Sequence, residues 1–193
     1  MKIPISWVKE YVDFQETPEV IADLLTMGGV EIGNIDVIGK TWKDDFVICG
    51  KILSIDPHPN ADRLQLATVD IGEDGPTIVV CGAPNIEVGQ SIAFAKSGST
   101  LVNPKTGSPE TLKVATIRGV ESSGMVCSAL ELGIEGDHDG ILVLGDDHAP
   151  GIPLREVLGD AILEIELTPN RPDCLSIIGN SYEIGALTKN IVK

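Results

Sequence analysis

Two acidic stretches carry histidine, Gly136-Asp137-His138-Asp139-Gly140 and Asp146-Asp147-His148, and these are side-chain types that ligate metal ions. Calcium chemistry of the EF-hand kind needs a third spaced oxygen ligand and a closing glutamate, and both are missing. Zinc needs paired ligand spacing, but the 3 histidines are scattered and Cys49, Cys81, Cys127 and Cys174 form no CxxC pair. No metal site is therefore expected. Cys127-Ser128 follows Gly124-Met125, yet G-x-S-x-G is absent, and a buried cysteine before a helix cap accounts for the pair. With no triad, phosphate loop or metal cluster, no catalytic residue is assigned and no activity is expected of the chain by itself.

The remaining chemistry is cationic. Lys51, Arg63, Lys96 and Arg118 could each contact phosphate, and the two arginines suit it better because a guanidinium donates two parallel hydrogen bonds. Against this stands the ordinary behaviour of lysines on strands, which are mostly just solvated. For Arg63 the competing reading is an ion pair with Asp56, Asp62 or another nearby carboxylate. Phe46 and Phe94 are the only aromatic residues between about 44 and 148, so a base-stacking platform is nearly absent. Net charge is -15, divided as -4 over residues 1–40, -9 over 41–149 and -2 over 150–193. A protein gripping phosphates through its overall field has the opposite sign, so any such contact must be local and weak.

The elements that must position these residues fall into three stretches. Near the start, Ser6 is placed to cap a short helix carrying Trp7, Val8, Tyr11 and Val12. Thr17-Pro18-Glu19 then gives a second helix its capping hydroxyl, first-turn proline and first-turn acid, and Gly28-Gly29 ends it. Val30-Glu31-Ile32 reads as a short strand. Between about 44 and 148, β-rich runs alternate with turn residues: Phe46–Ile55, Gln65–Ile71, Thr77–Cys81, Ser91–Ala95, Leu112–Ile117 and Ile141–Leu144. A helical patch at 128–132 interrupts them, and His58-Pro59-Asn60 and Gly82-Ala83-Pro84-Asn85 read as structural turns. The tail offers a helix at 152–158, an alternating strand at 161–167, a stiff turn at 168–173 and a last helix with Leu175, Ile178 and Ile184 among its apolar positions.

Neither end could bury much surface alone, since about 40 residues is near the lower limit for unaided folding. Residues 1–40 and 150–193 are therefore read as halves of one split α/β domain hosting residues 41–149. Val20 and Leu24 are expected to share a core with Leu175, Ile178 and Ile184. No apolar run approaches the roughly 18 residues of a membrane span, and the start is not a signal peptide. The four cysteines read as reduced, mostly buried residues of a cytoplasmic protein.

Several phrases resemble the bacterial phenylalanine–tRNA ligase beta chain. Ile5-Ser6-Trp7-Val8-Lys9-Glu10-Tyr11-Val12 is similar to the family's start. Asp56-Pro57-His58-Pro59-Asn60-Ala61-Asp62-Arg63-Leu64, Val80-Cys81-Gly82-Ala83-Pro84-Asn85 and Ile117-Arg118-Gly119-Val120-Glu121-Ser122-Ser123-Gly124-Met125 resemble signatures of its tRNA-binding module. Appendages of methionine–tRNA ligases share those signatures. Glu166-Leu167-Thr168-Pro169-Asn170-Arg171-Pro172-Asp173-Cys174-Leu175 discriminates, resembling the second half of the family's split first domain.

The resemblance implies an α+β architecture: an oligonucleotide-binding (OB) type β-barrel inserted into a small discontinuous helix-rich α/β domain. It implies a non-catalytic tRNA-binding and assembly region, in protein biosynthesis, of a class II aminoacyl-tRNA synthetase. The alternative is a protein–protein scaffold whose OB face never touches RNA. Implied partners are tRNA and the alpha subunit of a heterotetramer. No cofactor is expected in this stretch, because ATP and magnesium belong with the alpha subunit. Family members continue for several times this length, so Lys193 reads as a boundary within a longer protein. Of the four cations, Arg63 and Arg118 lie inside matched signatures.

Overall fold

The computed structural model describes residues 1–134, 139–145 and 148–193. In chain order the elements are β1 (Lys2–Pro4), α1 (Ile5–Lys9), α2 (Pro18–Met27), β2 (Glu31–Ile38), β3 (Val47–Pro57), β4 (Gln65–Asp70), β5 (Thr77–Cys81), β6 (Ser91–Lys96), β7 (Thr100–Val102), β8 (Pro109–Thr111), β9 (Ala115–Ile117), β10 (Val120–Ser122), β11 (Gly124–Val126), α3 (Leu154–Leu158), β12 (Asp160–Glu166) and α4 (Ile177–Thr188). A 3₁₀ turn at Pro172–Leu175 precedes α4. The fold is mixed α/β and mostly sheet. It divides into two units, residues 1–38 with 160–193, and residues 39–159.

In the first unit, β12 lies between β1 and β2, antiparallel to both. Its alternation puts Ala161, Leu163 and Ile165 into the core and leaves the intervening residues half-exposed, as a one-sided strand requires. Helix α2 is set by the Thr17 hydroxyl, which accepts from the Val20 amide, and by Pro18 at its first position. Gly29, at φ +90°, turns the chain out of it. The core gathers Ile3, Ile5, Val8, Phe14, Ile21, Leu25, Leu163, Ile165, Cys174 and Ile184.

Three local expectations change. Ser6 is not the cap of α1 but sits in its first turn, where its amide and hydroxyl both donate to the Asp160 carboxylate at 3.1 and 2.6 Å. Strand β2 runs eight residues rather than three, because β12 offers a full-length partner. Val20, Leu175 and Ile178 are 44%, 64% and 48% exposed and lie outside the core, which α2 enters through Ile21, Ala22 and Leu25. Helix α4 buries Asn180, Ser181, Ile184 and Gly185 instead. Ser181 donates to the Ile177 carbonyl at 2.9 Å, and Asn180 donates to the carbonyls of Cys174 and Ser176 at 2.7 and 2.8 Å. Their donors are met locally, while the Asn180 Oδ1 is buried without a partner among the described residues, so this small polar face is buried at a cost.

The second unit is organised on β3, which pairs with β4 on one side and β6 on the other. The antiparallel order β11-β6-β3-β4-β5 curls into a nearly closed, barrel-like sheet, consistent with an OB-type barrel. At the closing seam, the Val80 amide donates to the Ser122 hydroxyl at 3.2 Å, which donates to the Gly124 carbonyl at 2.9 Å. Ile48, Ile52, Val69, Val79, Ile92, Phe94 and Val126 fill the interior. Hairpins β7–β8 and β9–β10 stand off the barrel as two-stranded sheets.

The sequence boundary at 149/150 falls in the wrong place, since residues 150–159 belong with the barrel. The Gly151 amide donates to the Cys49 carbonyl, the Cys49 amide to the Ile152 carbonyl, and Leu154 is fully buried. These bonds prolong the ladder beside the start of β3. The patch at 128–132 is a set of turns rather than a helix. Ser128 and Glu131 cap each other there: the Ser128 amide and hydroxyl donate to the Glu131 carboxylate, and the Ser128 hydroxyl accepts from the Glu131 amide. Ile141–Leu144 holds only an isolated bridge, Val143 to Ile92. All four cysteines are buried and unpaired with one another. Among the described residues no helix is long and apolar enough to cross a membrane.

Candidate nucleic-acid interface

Arg63 sits in the turn between β3 and β4, and Arg118 in the turn between β9 and β10; both are exposed. Neither makes an ion pair with a described residue, although Asp56 and Asp62 are close in sequence. Val120 pairs directly with Ile117, so Arg118-Gly119 is a two-residue hairpin loop. Its residues have φ of +51° and +92°. Both values being positive matches the right-handed twist of a hairpin, but for arginine the left-handed conformation costs about 1–2 kcal/mol.

A side-chain clamp joins the two loops. The His58 Nδ1 accepts from the Asn60 amide at 3.1 Å, which leaves Nε2 to carry the proton and donate to the Ile117 carbonyl at 3.1 Å. The Asn60 side chain donates to the Arg118 carbonyl at 2.9 Å. The His58 amide closes its own loop on the Leu64 carbonyl at 3.1 Å. His58 is 5% exposed and shields its half of the clamp, whereas the Asn60 bond to Arg118 lies at the surface. The sequence reading assigned His58-Pro59-Asn60 to turn structure, and one of its own side chains braces the loop. Asn60 is the brace, and it holds Arg118, a residue 58 positions away.

The other two candidates lie elsewhere. Lys96 ends β6, opposite the start of β3, and its ammonium pairs with Glu73 at 2.7 Å. It is thus at the far end of β3 from Arg63. Lys51 is half-buried within β3, across from Asp70 and Ser91. The two aromatic candidates offer little: Phe94 is 1% exposed, and Phe46 has Lys43 over its ring at 5.8 Å. The outward residues of β4 and β5, Leu66, Thr68, Ile78 and Val80, include no aromatic ring. The Gly82–Asn85 turn is structural, with Asn85 holding the amide and carbonyl of Ile141 at 2.9 and 3.0 Å. Of the two acidic-histidine stretches, residues 136–138 and 146–147 lie outside the described residues.

Sequence reasoning missed a charged cluster in the first unit. Among the described residues Asp173, Cys174 and Glu183 have the spacing to hold a cation, but Arg171 already fills that role. Its guanidinium donates to Asp173 and Glu183, each at 2.8 Å, and to the Cys174 sulfur at 3.1 Å. The arginine hydrogen bonds hold the Asp173 carboxyl down at about 2 against an ordinary 3.8, and burial pushes the Cys174 thiol up to about 11. An arginine followed by proline and aspartate, with a glutamate on the next helix, was the available signal. A depressed carboxyl stabilises the fold above its ordinary value, and that contribution vanishes as pH falls from about 4 to about 2. Asp173→Asn should therefore flatten the fall in melting temperature across that interval. A fall as steep as in the unaltered chain would show that the pair contributes nothing.

Comparison with known proteins places these loops in a family. The model described as “Putative tRNA binding domain” matches residues 47–153, which include Arg63, the clamp and Arg118. The phenylalanine–tRNA ligase beta subunit of Dehalococcoides mccartyi (strain CBDB1) is 45% identical over 187 residues, 97% of this chain and 23% of that protein. The subunit of Salinibacter ruber is 42% identical over 97% of this chain and 24% of its own length. That of Fusobacterium nucleatum is 42% identical over 100% of this chain and 24% of its own length. The chain thus spans about a quarter of the length of these relatives. Among solved structures, a “MetRS related protein from Pyrococcus horikoshii” aligns with 56% of this chain and 87% of its own, with a TM-score of 0.39 and 17% identity, too remote a likeness to argue from. Homologous along nearly its whole length to phenylalanine–tRNA ligase beta subunits, and matched by the family model over 47–153, the chain belongs to the “Putative tRNA binding domain” family.

Proposed function

We propose that this chain is a non-catalytic tRNA-binding and assembly region of a phenylalanine–tRNA ligase beta subunit, acting in cytoplasmic protein biosynthesis. In this reading the barrel is of OB type and is carried by a discontinuous α/β domain made of the two chain ends. Phenylalanine activation, with its ATP and magnesium, belongs to a class II alpha subunit in the heterotetramer. The observation that carries the proposal is the pair of exposed arginines, neither ion-paired with a described residue, on clamped loops within the matched tRNA-binding segment.

Titrating the chain with tRNA across salt concentrations tests it. Binding should be weak and should fall with added salt, because a few phosphate contacts release few counterions. Arg63→Ala should weaken binding by about 1–3 kcal/mol, typical of one charged hydrogen bond, and lower the salt slope by about one. Arg118→Asn should weaken binding comparably. It should leave the melting temperature equal or raised, because asparagine tolerates the left-handed turn better than arginine. No binding at low salt would sink the proposal. That outcome would favour the scaffold reading, which the acidity and the exposed Trp7, Leu175, Ile178 and Tyr182 support.

A further inference from the structure

The proposed RNA contact leaves open which form of RNA the loops take, and four observations bear on that choice. Single-stranded nucleic acid is held by stacking its bases on aromatic rings along a basic groove. Here the outward face of β4 and β5 offers Leu66, Thr68, Ile78 and Val80, with no ring among them. Phe94 is in the core and Phe46 is covered by Lys43. Asp56 and Asp70 stand on β3 and β4 on that same face, with Lys51 across from Asp70, so a strand laid across it would meet two carboxylates and one ammonium. The guanidiniums with no ion-pair partner among the described residues are instead confined to two adjoining loop tips, fixed to one another through His58 and Asn60.

We infer that this two-arginine rim, positioned by Asn60 and His58, takes the phosphate backbone of double-helical RNA and not the bases of a single strand. The inference rests on the RNA-binding reading above. An RNA duplex presents phosphates at fixed spacing on a convex surface, and proteins recognise it by shape and backbone contacts. Two guanidiniums on a rigid rim can meet such a surface without an enclosing groove, and so without bringing the acidic remainder of the unit against RNA. Asn60 and His58 are positioning residues: they touch the loops, and through them set where Arg118 and Arg63 stand.

The test measures binding of the chain to bulk tRNA, to an RNA duplex of about 20 base pairs and to oligouridine of equal length, between about 50 and 200 mM salt. Duplex and tRNA should bind alike and compete, with a salt slope near two, and oligouridine should bind at least about tenfold more weakly. Oligouridine binding as tightly as duplex overturns the inference while leaving the RNA-binding proposal intact. No binding to any of the three overturns both. For the clamp, Asn60→Ala should weaken duplex binding several-fold in the unaltered chain but add little in an Arg118→Asn background, because it acts through that arginine. Equal losses in both backgrounds would refute the positioning role. Circular dichroism of each variant confirms that the barrel is folded before binding is read.

Discussion

Trp42→Ala should destabilise residues 39–159 by about 3–5 kcal/mol, the range for removing a buried large aromatic. Trp42 is 1% exposed, and its indole Nε1 donates to the Leu132 carbonyl at 3.0 Å, joining the chain ahead of β3 to the turns after β11. The Arg155 guanidinium donates to the Trp42 carbonyl, which brings α3 to the same point. Gly39, at φ +80°, approaches the ring so closely that a Cβ there would lie 2.7 Å from it. The alanine variant thus leaves a cavity and an unsatisfied Leu132 carbonyl, while the Arg155 bond, made to the Trp42 backbone, is kept. Trp42→Phe keeps much of the ring volume and loses the indole bond, so it should cost clearly less. Urea titration measures both: the midpoint should drop steeply for alanine and moderately for phenylalanine, with little change in slope. A loss under about 1 kcal/mol for Trp42→Ala would mean that the unit stands without this anchor.

Gly179→Ala should be the more damaging of two neighbouring alanine substitutions on α4. A Cβ at Gly179 would overlap the Asp173 carbonyl and the Ser176 hydroxyl, the latter being the group that caps the helix. Helix propensity alone favours alanine by about 1 kcal/mol. Overpacking costs typically 1–3 kcal/mol, and here the blocking atom is backbone, which cannot swing aside. The steric term therefore wins, and a net loss of about 1 kcal/mol, reaching about 2 at most, is expected in thermal unfolding of the first unit. Ile178→Ala, next to it but 48% exposed, serves as the control and should change little. An unchanged or raised melting temperature for Gly179→Ala would refute the close approach of α4 to the 3₁₀ turn.

The parts of the fold that were legible in the sequence are those whose cause is local. Thr17-Pro18 announced α2, Ile162 and Glu164 alternating with buried neighbours announced β12, and turn residues bounded β3 to β6 within two positions. The misreadings all involve a distant partner. Strand β2 contains Gly33, Asn34 and Asp36, poor strand formers that extend because β12 pairs with them. The faces of α4 were assigned by hydrophobicity, whereas Asn180 and Ser181 are buried with their donors taken up by the Cys174, Ser176 and Ile177 carbonyls. At the candidate interface, residue type singled out Arg63 and Arg118, but no local signal tells that Asn60 holds the Arg118 carbonyl. Nor does one tell that Lys96 has Glu73 as a counter-ion.

The central position of β12 sets an order on how this chain can be made. Strands β1 and β2 leave the ribosome early, yet both take their hydrogen-bond partner from residues 160–166. Residues 39–159 are complete before that partner is synthesised, so the barrel can fold as a unit while the first 38 residues wait. During that interval Ile3, Ile5, Val8, Ile21 and Leu25 have no core to enter. With translation at about 5–20 residues per second, the wait lasts on the order of ten seconds. A chain ending at residue 159 should accordingly show a protease-resistant barrel and a digestible amino terminus, and one carried through α4 should resist along its whole length.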